Sequence, residues 1–140
     1  MKTQSTGIFI GKSFVDFPTE DYRKPQSINV DGFLFRTQRV VREMLAQGMG
    51  GSIVSITSPL TNSPIVGSVP TVAMITKGGV EAGSPNLAME CAAQGIRVNL
   101  VAPGIFDTPM HTNDPTDVTE APRVTGETVR VDGGGHLGKW

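Results

Sequence analysis

Between Ile28 and Gln47, apolar residues recur at three- and four-residue intervals: Val30, Phe33, Leu34, Val40, Val41, Met44 and Leu45. That spacing predicts an amphipathic helix, and "GMGG" (48–51) ends it, because glycine takes left-handed C-cap geometry at little cost. "SIVSI" (52–56) reads as a short buried strand. "TSPLTNSPIVGSVP" (57–70) is a loop rich in Ser, Thr, Pro and Gly. A second helical stretch runs from about Thr71 to Ala93 and closes at Gly95, and "IRVNLVAP" (96–103) is a second strand. "ETVRVDGG" (127–134) alternates as a third strand, while the segment 104–126 has no clear period and residues 1–24 are weakly patterned. Helices alternating with buried strands predict an α/β fold with a parallel sheet, in a single domain covering 1–140 without internal repeats.

Composition narrows the partners. The 140 residues are 38% hydrophobic and 18% charged, with a net charge of −1. A near-neutral globular composition gives no reason to expect nucleic acid or an anionic membrane as a partner. One cysteine, Cys91, excludes an internal disulfide and suits a reducing compartment. No apolar run approaches the roughly 20 residues of a membrane span. "MKTQSTGIFIGKSF" offers only "IFI" as an apolar core, too short for a signal segment. The expected location is cytoplasmic.

Four stretches then line up in order: "INVDGF", "GSIVSITS", "MITKGGVEA" running on to "APGIFDTPM", and "VTGETVRVDGGGHLGKW". The most specific piece is A-x-E-x-A-x-x-G-I-R-V-N-x-V-x-P-G, from Ala88 to Gly104, followed by "DTPM". With these motifs the chain resembles the short-chain dehydrogenase/reductase family, from about Gly7 to Trp140. The resemblance implies a Rossmann-like, doubly wound parallel sheet and an NAD- or NADP-dependent oxidoreductase, moving hydride between nicotinamide and an alcohol or ketone. In such enzymes a tyrosine exchanges a proton with the substrate. Its ordinary pKa near 10 calls for a cation nearby, and a lysine one helical turn later supplies it and binds the cofactor ribose. A serine polarises the substrate oxygen, and an asparagine on the preceding helix anchors a proton-relay water.

Carried over residue by residue, Asn29 matches the relay asparagine, Lys77 the lysine, and Ser58 the substrate serine, with Ser63 a weaker match. A helix asparagine bonded to backbone would look the same as the first, and a loop-capping serine the same as the third. Pro103, Gly104, Ile105 and Thr108 match the segment that contacts the nicotinamide amide. Position 73, where the tyrosine belongs, holds Ala73; the one tyrosine of the chain, Tyr22, is expected ahead of the first helix.

Other departures point the same way. No glycine-rich turn follows a strand near the N-terminus, so the phosphate-binding loop is missing from the pattern. "QSTGI" (4–8) falls where the family has Asn-Asn-Ala-Gly, which implies a start near the fourth strand of the fold and a truncated, incomplete sheet. Pro25 near the start of the first helix and Pro85 inside the second are expected to weaken both, and Pro59 restricts Ser58. "GIFIGKS" nearly spells a phosphate loop but has three residues between its glycines instead of four, and no convincing strand precedes it. The glycine run of "VDGGGHLGKW" follows the last strand and reads as a turn. His111 and His136 lack metal-ligand spacing, so no metal is expected, and Cys91 reads as a small buried side chain.

Two expectations follow. One is an oxidoreductase by resemblance, impaired or inactive as this chain alone. The other is a non-catalytic interaction subunit, a homo-oligomer or a hetero-oligomer with a full-length relative, or else a gene fragment without activity.

Overall fold

A computed structural model describes residues 2–4, 7–67 and 70–104. Among these residues three strands lie in one parallel sheet in chain order: β1 (Lys2–Gln4), β2 (Gly51–Ile56) and β3 (Ile96–Val101). Lys2 pairs with Ile53 across the first ladder, and Ile53 with Val98 across the second. Parallel neighbours need long crossovers. A helical segment of α1 (Thr19–Pro25), one π turn (Gln26–Asp31) and α2 (Gly32–Gln47) provides the first crossover, and α3 (Thr71–Cys91) the second.

The α/β architecture with a parallel sheet is as the periodicity predicts, and β2, α3 and β3 fall where it places them. Two features differ. The chain is already helical at Thr19, and Tyr22 lies inside α1, donating from its hydroxyl to Gln26 Oε1 at 3.1 Å. A strand, β1, does precede "GIFIGKS". Three residues show no period of their own, and their pairing with β2 makes them a strand. As the period places it, α3 runs unbroken through Pro85. Only one ladder bond, to the Glu81 carbonyl, is forfeited there, and both ends of the helix are held by packing. The third expected strand and the glycine run of the C-terminal tail lie outside the described residues.

Glycines close the helices as expected. Gly48 caps α2 at φ 67°, and Gly95 follows a 3₁₀ turn after α3 at φ 68°. The core joins both crossovers to the sheet: Val41 and Met44 of α2 and Cys91 of α3 meet Ile53 and Ile96. Ile53 and Ile96 are 0% and 2% exposed, and full burial of such a side chain is worth about 1.5–3 kcal/mol. Cys91 is buried as expected, with its thiol pKa raised by desolvation and by Glu90. Gly51 shows how tightly α2 sits on β2, since a Cβ there would collide with Met44 Sδ. Among the described residues no helix is long and apolar enough to cross a membrane, and no cluster of metal-ligating side chains occurs.

Candidate active site

The C-terminal ends of parallel strands form the crevice where open α/β sheets place their ligands, and the sequence-matched residues gather there. Asn29 sits in the π turn, a helical irregularity common at functional sites. Pro25, buried at the end of α1, has no N–H to give to Asp21, and the π turn begins at the next residue.

Asn29 is 3% exposed. Its Oδ1 accepts from the Ile8 N–H at 2.9 Å, and its Nδ2 donates to the Ile8 carbonyl at 3.1 Å and to Thr76 Oγ1 at 2.9 Å. Only one orientation of the amide satisfies both backbone groups of Ile8. Thr76, fully buried, donates in turn to the Ala73 carbonyl at 2.7 Å. One side chain therefore ties the chain leaving β1, the π turn and the first turns of α3 together.

Lys77 follows Thr76 and reaches toward the sheet, its Nζ donating to the Ile56 carbonyl at the end of β2 at 2.9 Å. Gly7 closes over it: a Cβ there would lie 3.1 Å from Lys77 Nζ and 3.6 Å from Asn29 Oδ1. A Cβ there would need the ammonium to give by a few tenths of an ångström. Among the described residues Lys77 makes no ion pair, and burial holds its pKa below the ordinary lysine value. Ala73, one turn back on α3 and the residue matched to the tyrosine by sequence, is 3% exposed.

Beneath Lys77 lies a water-sized cavity of about 20 Å³, lined among others by Ile28, Asn29, Arg36, Ser55 and Val80. Ser55 is 2% exposed, and its Oγ makes no hydrogen bond to any described residue.

Ser58 has an extended backbone (φ −143°, ψ 140°), as a residue before proline should. Its Oγ accepts from the Leu60 N–H at 3.3 Å, and its carbonyl accepts from Thr61 Oγ1 at 2.6 Å. The hydroxyl acts as a cap here, with its proton still available to a ligand. Ser63 is exposed further along the loop. Pro103 and Gly104 follow β3 next to the end of β2, where the Thr57 N–H donates to the Val101 carbonyl at 2.9 Å. Ile105, Thr108 and both histidines lie outside the described residues.

Glu81, which belongs to none of the sequence-matched site positions, joins them in space. Its carboxylate accepts from Asn62 Nδ2 at 2.7 Å and Thr57 Oγ1 at 3.3 Å, and it shares with the Ser58 carbonyl the single hydroxyl proton of Thr61, whose Oγ1 lies 2.5 Å away. Lys77 and Glu81, four residues apart, share one helix face. They hold the strand end and the serine loop at successive turns. The only signal in the sequence is that i, i+4 spacing beside a Thr- and Asn-rich loop.

Comparison with known proteins extends the likeness along the chain. A family model described as enoyl-(acyl carrier protein) reductase matches residues 3–120. The NADP-dependent (R)-specific alcohol dehydrogenase of Lentilactobacillus kefiri is 34% identical over 110 residues, 76% of this chain and 42% of that protein. An L-rhamnose 1-dehydrogenase (NAD(P)(+)) of Azotobacter vinelandii is 32% identical over 121 residues, 86% of this chain and 46% of that one. Among solved structures, acetoin dehydrogenase from Enterobacter cloacae superposes with a TM-score of 0.71 at 32% identity, covering 78% of this chain and 42% of its own. A gluconate 5-dehydrogenase from Burkholderia cenocepacia, in complex with NADP and tartrate, gives 0.71 at 28% identity, covering 79% and 42%. The chain thus spans under half the length of these relatives.

Proposed function

The chain belongs to the short-chain dehydrogenase/reductase family, and from that premise we propose that it carries the substrate and nicotinamide end of an NAD(P)-linked oxidoreductase site, impaired at its proton-transfer step. When bound, the nicotinamide supplies hydride exchange with an alcohol or ketone carbon. The chain's own residues would do the rest. Lys77 binds the ribose and provides positive charge, Ser58 donates its hydroxyl proton to the substrate oxygen, and Asn29 anchors the relay behind Lys77. Pro103, Gly104, Ile105 and Thr108 border the nicotinamide amide.

The observation that carries this reading is the meeting of Gly7, Asn29, Ile56 and Lys77 in one place, from four separate segments. The donor set and the glycine at Lys77 Nζ fit a ribose. Among the described residues no glycine-rich turn leads from a strand directly into a helix, so the reading is confined to the nicotinamide–ribose end. Impairment rests on Ala73, whose methyl can neither give nor take a proton.

A thermal melt with saturating NAD(H) or NADP(H), followed by assays of the Ala73→Tyr variant on small alcohols and ketones, tests this. A site loaded at 100 times its Kd adds about 2.7 kcal/mol. The reading expects a raised Tm with one cofactor and turnover that appears only in Ala73→Tyr. A chain with no cofactor response refutes the cofactor reading. A cofactor response with no gain in Ala73→Tyr refutes the assignment of position 73.

A second reading, a non-catalytic subunit that docks on a copy of itself or on a full-length relative, draws on large apolar side chains left exposed on the helices. These are Leu34, Phe35 and Leu45 on α2 and Met89 on α3. Co-purification with a full-length relative supports it, and a monomer at high concentration that ignores such a relative refutes it.

A further inference from the structure

Among the described residues, Ser55 Oγ alone is a buried side-chain polar atom without a hydrogen bond. Strand residues two apart share a face, so Ser55 points the same way as Ile53, which packs on α2 and α3 in the core. Ser55 is 2% exposed and lines the small cavity between those helices and β2. A buried hydroxyl with no partner is costly, and its presence in a folded chain calls for a water or an ion beside it.

The cavity wall decides between the two. Ser55 is joined there by Lys77 of α3 and Arg36 of α2, with Phe33 and Val80 as apolar walls. Asn29 lines it as well, but its amide is engaged by Ile8 and Thr76. No Asp or Glu is among the lining residues. Glu81, the next carboxylate along α3, is turned to Thr57 and Asn62 of the serine loop. Two cations therefore face a small space whose wall holds no acid. An ammonium has three N–H donors, and Lys77 gives one of them to the Ile56 carbonyl. A water would satisfy Ser55 and leave the positive charge of the wall unopposed. An anion satisfies both, and its attraction to the cations is stronger beside apolar walls than in bulk water. Arg36 is exposed, which gives an ion a charged route in from solvent.

We propose that this cavity binds one monatomic anion of the chloride type, held by the Ser55 hydroxyl, the Lys77 ammonium and the Arg36 guanidinium. A volume of about 20 Å³ admits an ion little larger than water and excludes carboxylates and phosphates. The site needs no nicotinamide and does not depend on the oxidoreductase reading.

Two measurements on the chain without added cofactor test this. Thermal melts compare sodium chloride with sodium gluconate at equal ionic strength, gluconate being too large to enter. Chloride should raise the Tm above its value in gluconate, and the increment should saturate as it does for a ligand that binds only the folded state. The chloride NMR line should broaden in proportion to the protein, reporting ions that exchange with the site. Arg36→Gln, at an exposed position, should weaken chloride binding about tenfold or more, the effect of losing one charge-assisted donor. Ser55→Ala should abolish the chloride increment without lowering the Tm in gluconate, because the hydroxyl it removes has no protein partner. A chloride line that the protein does not broaden means a water only and overturns the proposal. An increment of equal size in the parent chain, Arg36→Gln and Ser55→Ala is a general salt effect and overturns it too.

Discussion

Replacing Asn29 with alanine removes the one side chain that joins three segments, and the cost can be worked from the geometry. Three hydrogen bonds disappear: from Ile8 N–H, to Ile8 carbonyl and to Thr76 Oγ1. A typical net value is about 1 kcal/mol each, and stranding partly buried partners raises it, so about 3–4 kcal/mol is expected. Thr76 keeps its bond to the Ala73 carbonyl, which holds the figure at the lower end. A domain has about 5–15 kcal/mol in total. For a chain of this size the loss corresponds to a fall in Tm of about 10 °C. Calorimetry measures the global term, and amide exchange measures the local one. The Ile8 amide should lose more protection than the amides of β2, because its acceptor is gone as well as part of the global stability. A fall in Tm below about 2 °C, or an Ile8 amide that tracks β2, would refute the view that Asn29 fastens the chain after β1 to the helices.

Three further expectations can be checked on the same apparatus. Pro85→Ala restores an N–H to the Glu81 carbonyl and should stabilise the chain by up to about 3 kcal/mol, less what the unfolded chain gains in freedom; an unchanged or lowered Tm counts against it. Glu81→Ala frees Thr57, Thr61 and Asn62, so the amides of Thr61 and Asn62 should exchange faster while those of β3 do not. Burial lowers the pKa of Lys77 in the folded state only. Between the folded value and the ordinary lysine value the unfolded chain therefore binds more protons, and stability should rise with pH across that window. Lys77→Met should flatten this slope, and an equal slope in both proteins would dismiss Lys77 as its source.

Local physics alone determined much of this chain. The 3.6-residue period from Val30 to Leu45, the apolar runs of β2 and β3, and the glycines that terminate the helices act within a few residues of themselves, so sequence order reveals them. The positions of Asn29, Ser58 and Lys77 are legible for the same reason, as spacings within motifs. Tertiary structure decided the rest, because the forces involved join residues far apart in the chain. β1 is a strand through its ladder with β2, some fifty residues on. α3 survives Pro85 because Ser84 is buried and donates to the Val80 carbonyl, while Cys91 is seated in the core; one lost backbone bond is less than that packing supplies. Gly7 lies against Lys77 only once the sheet and α3 are assembled, and Glu81 finds its loop partners in the same way. A close approach between distant segments leaves no period in the sequence, and only the folded chain displays it.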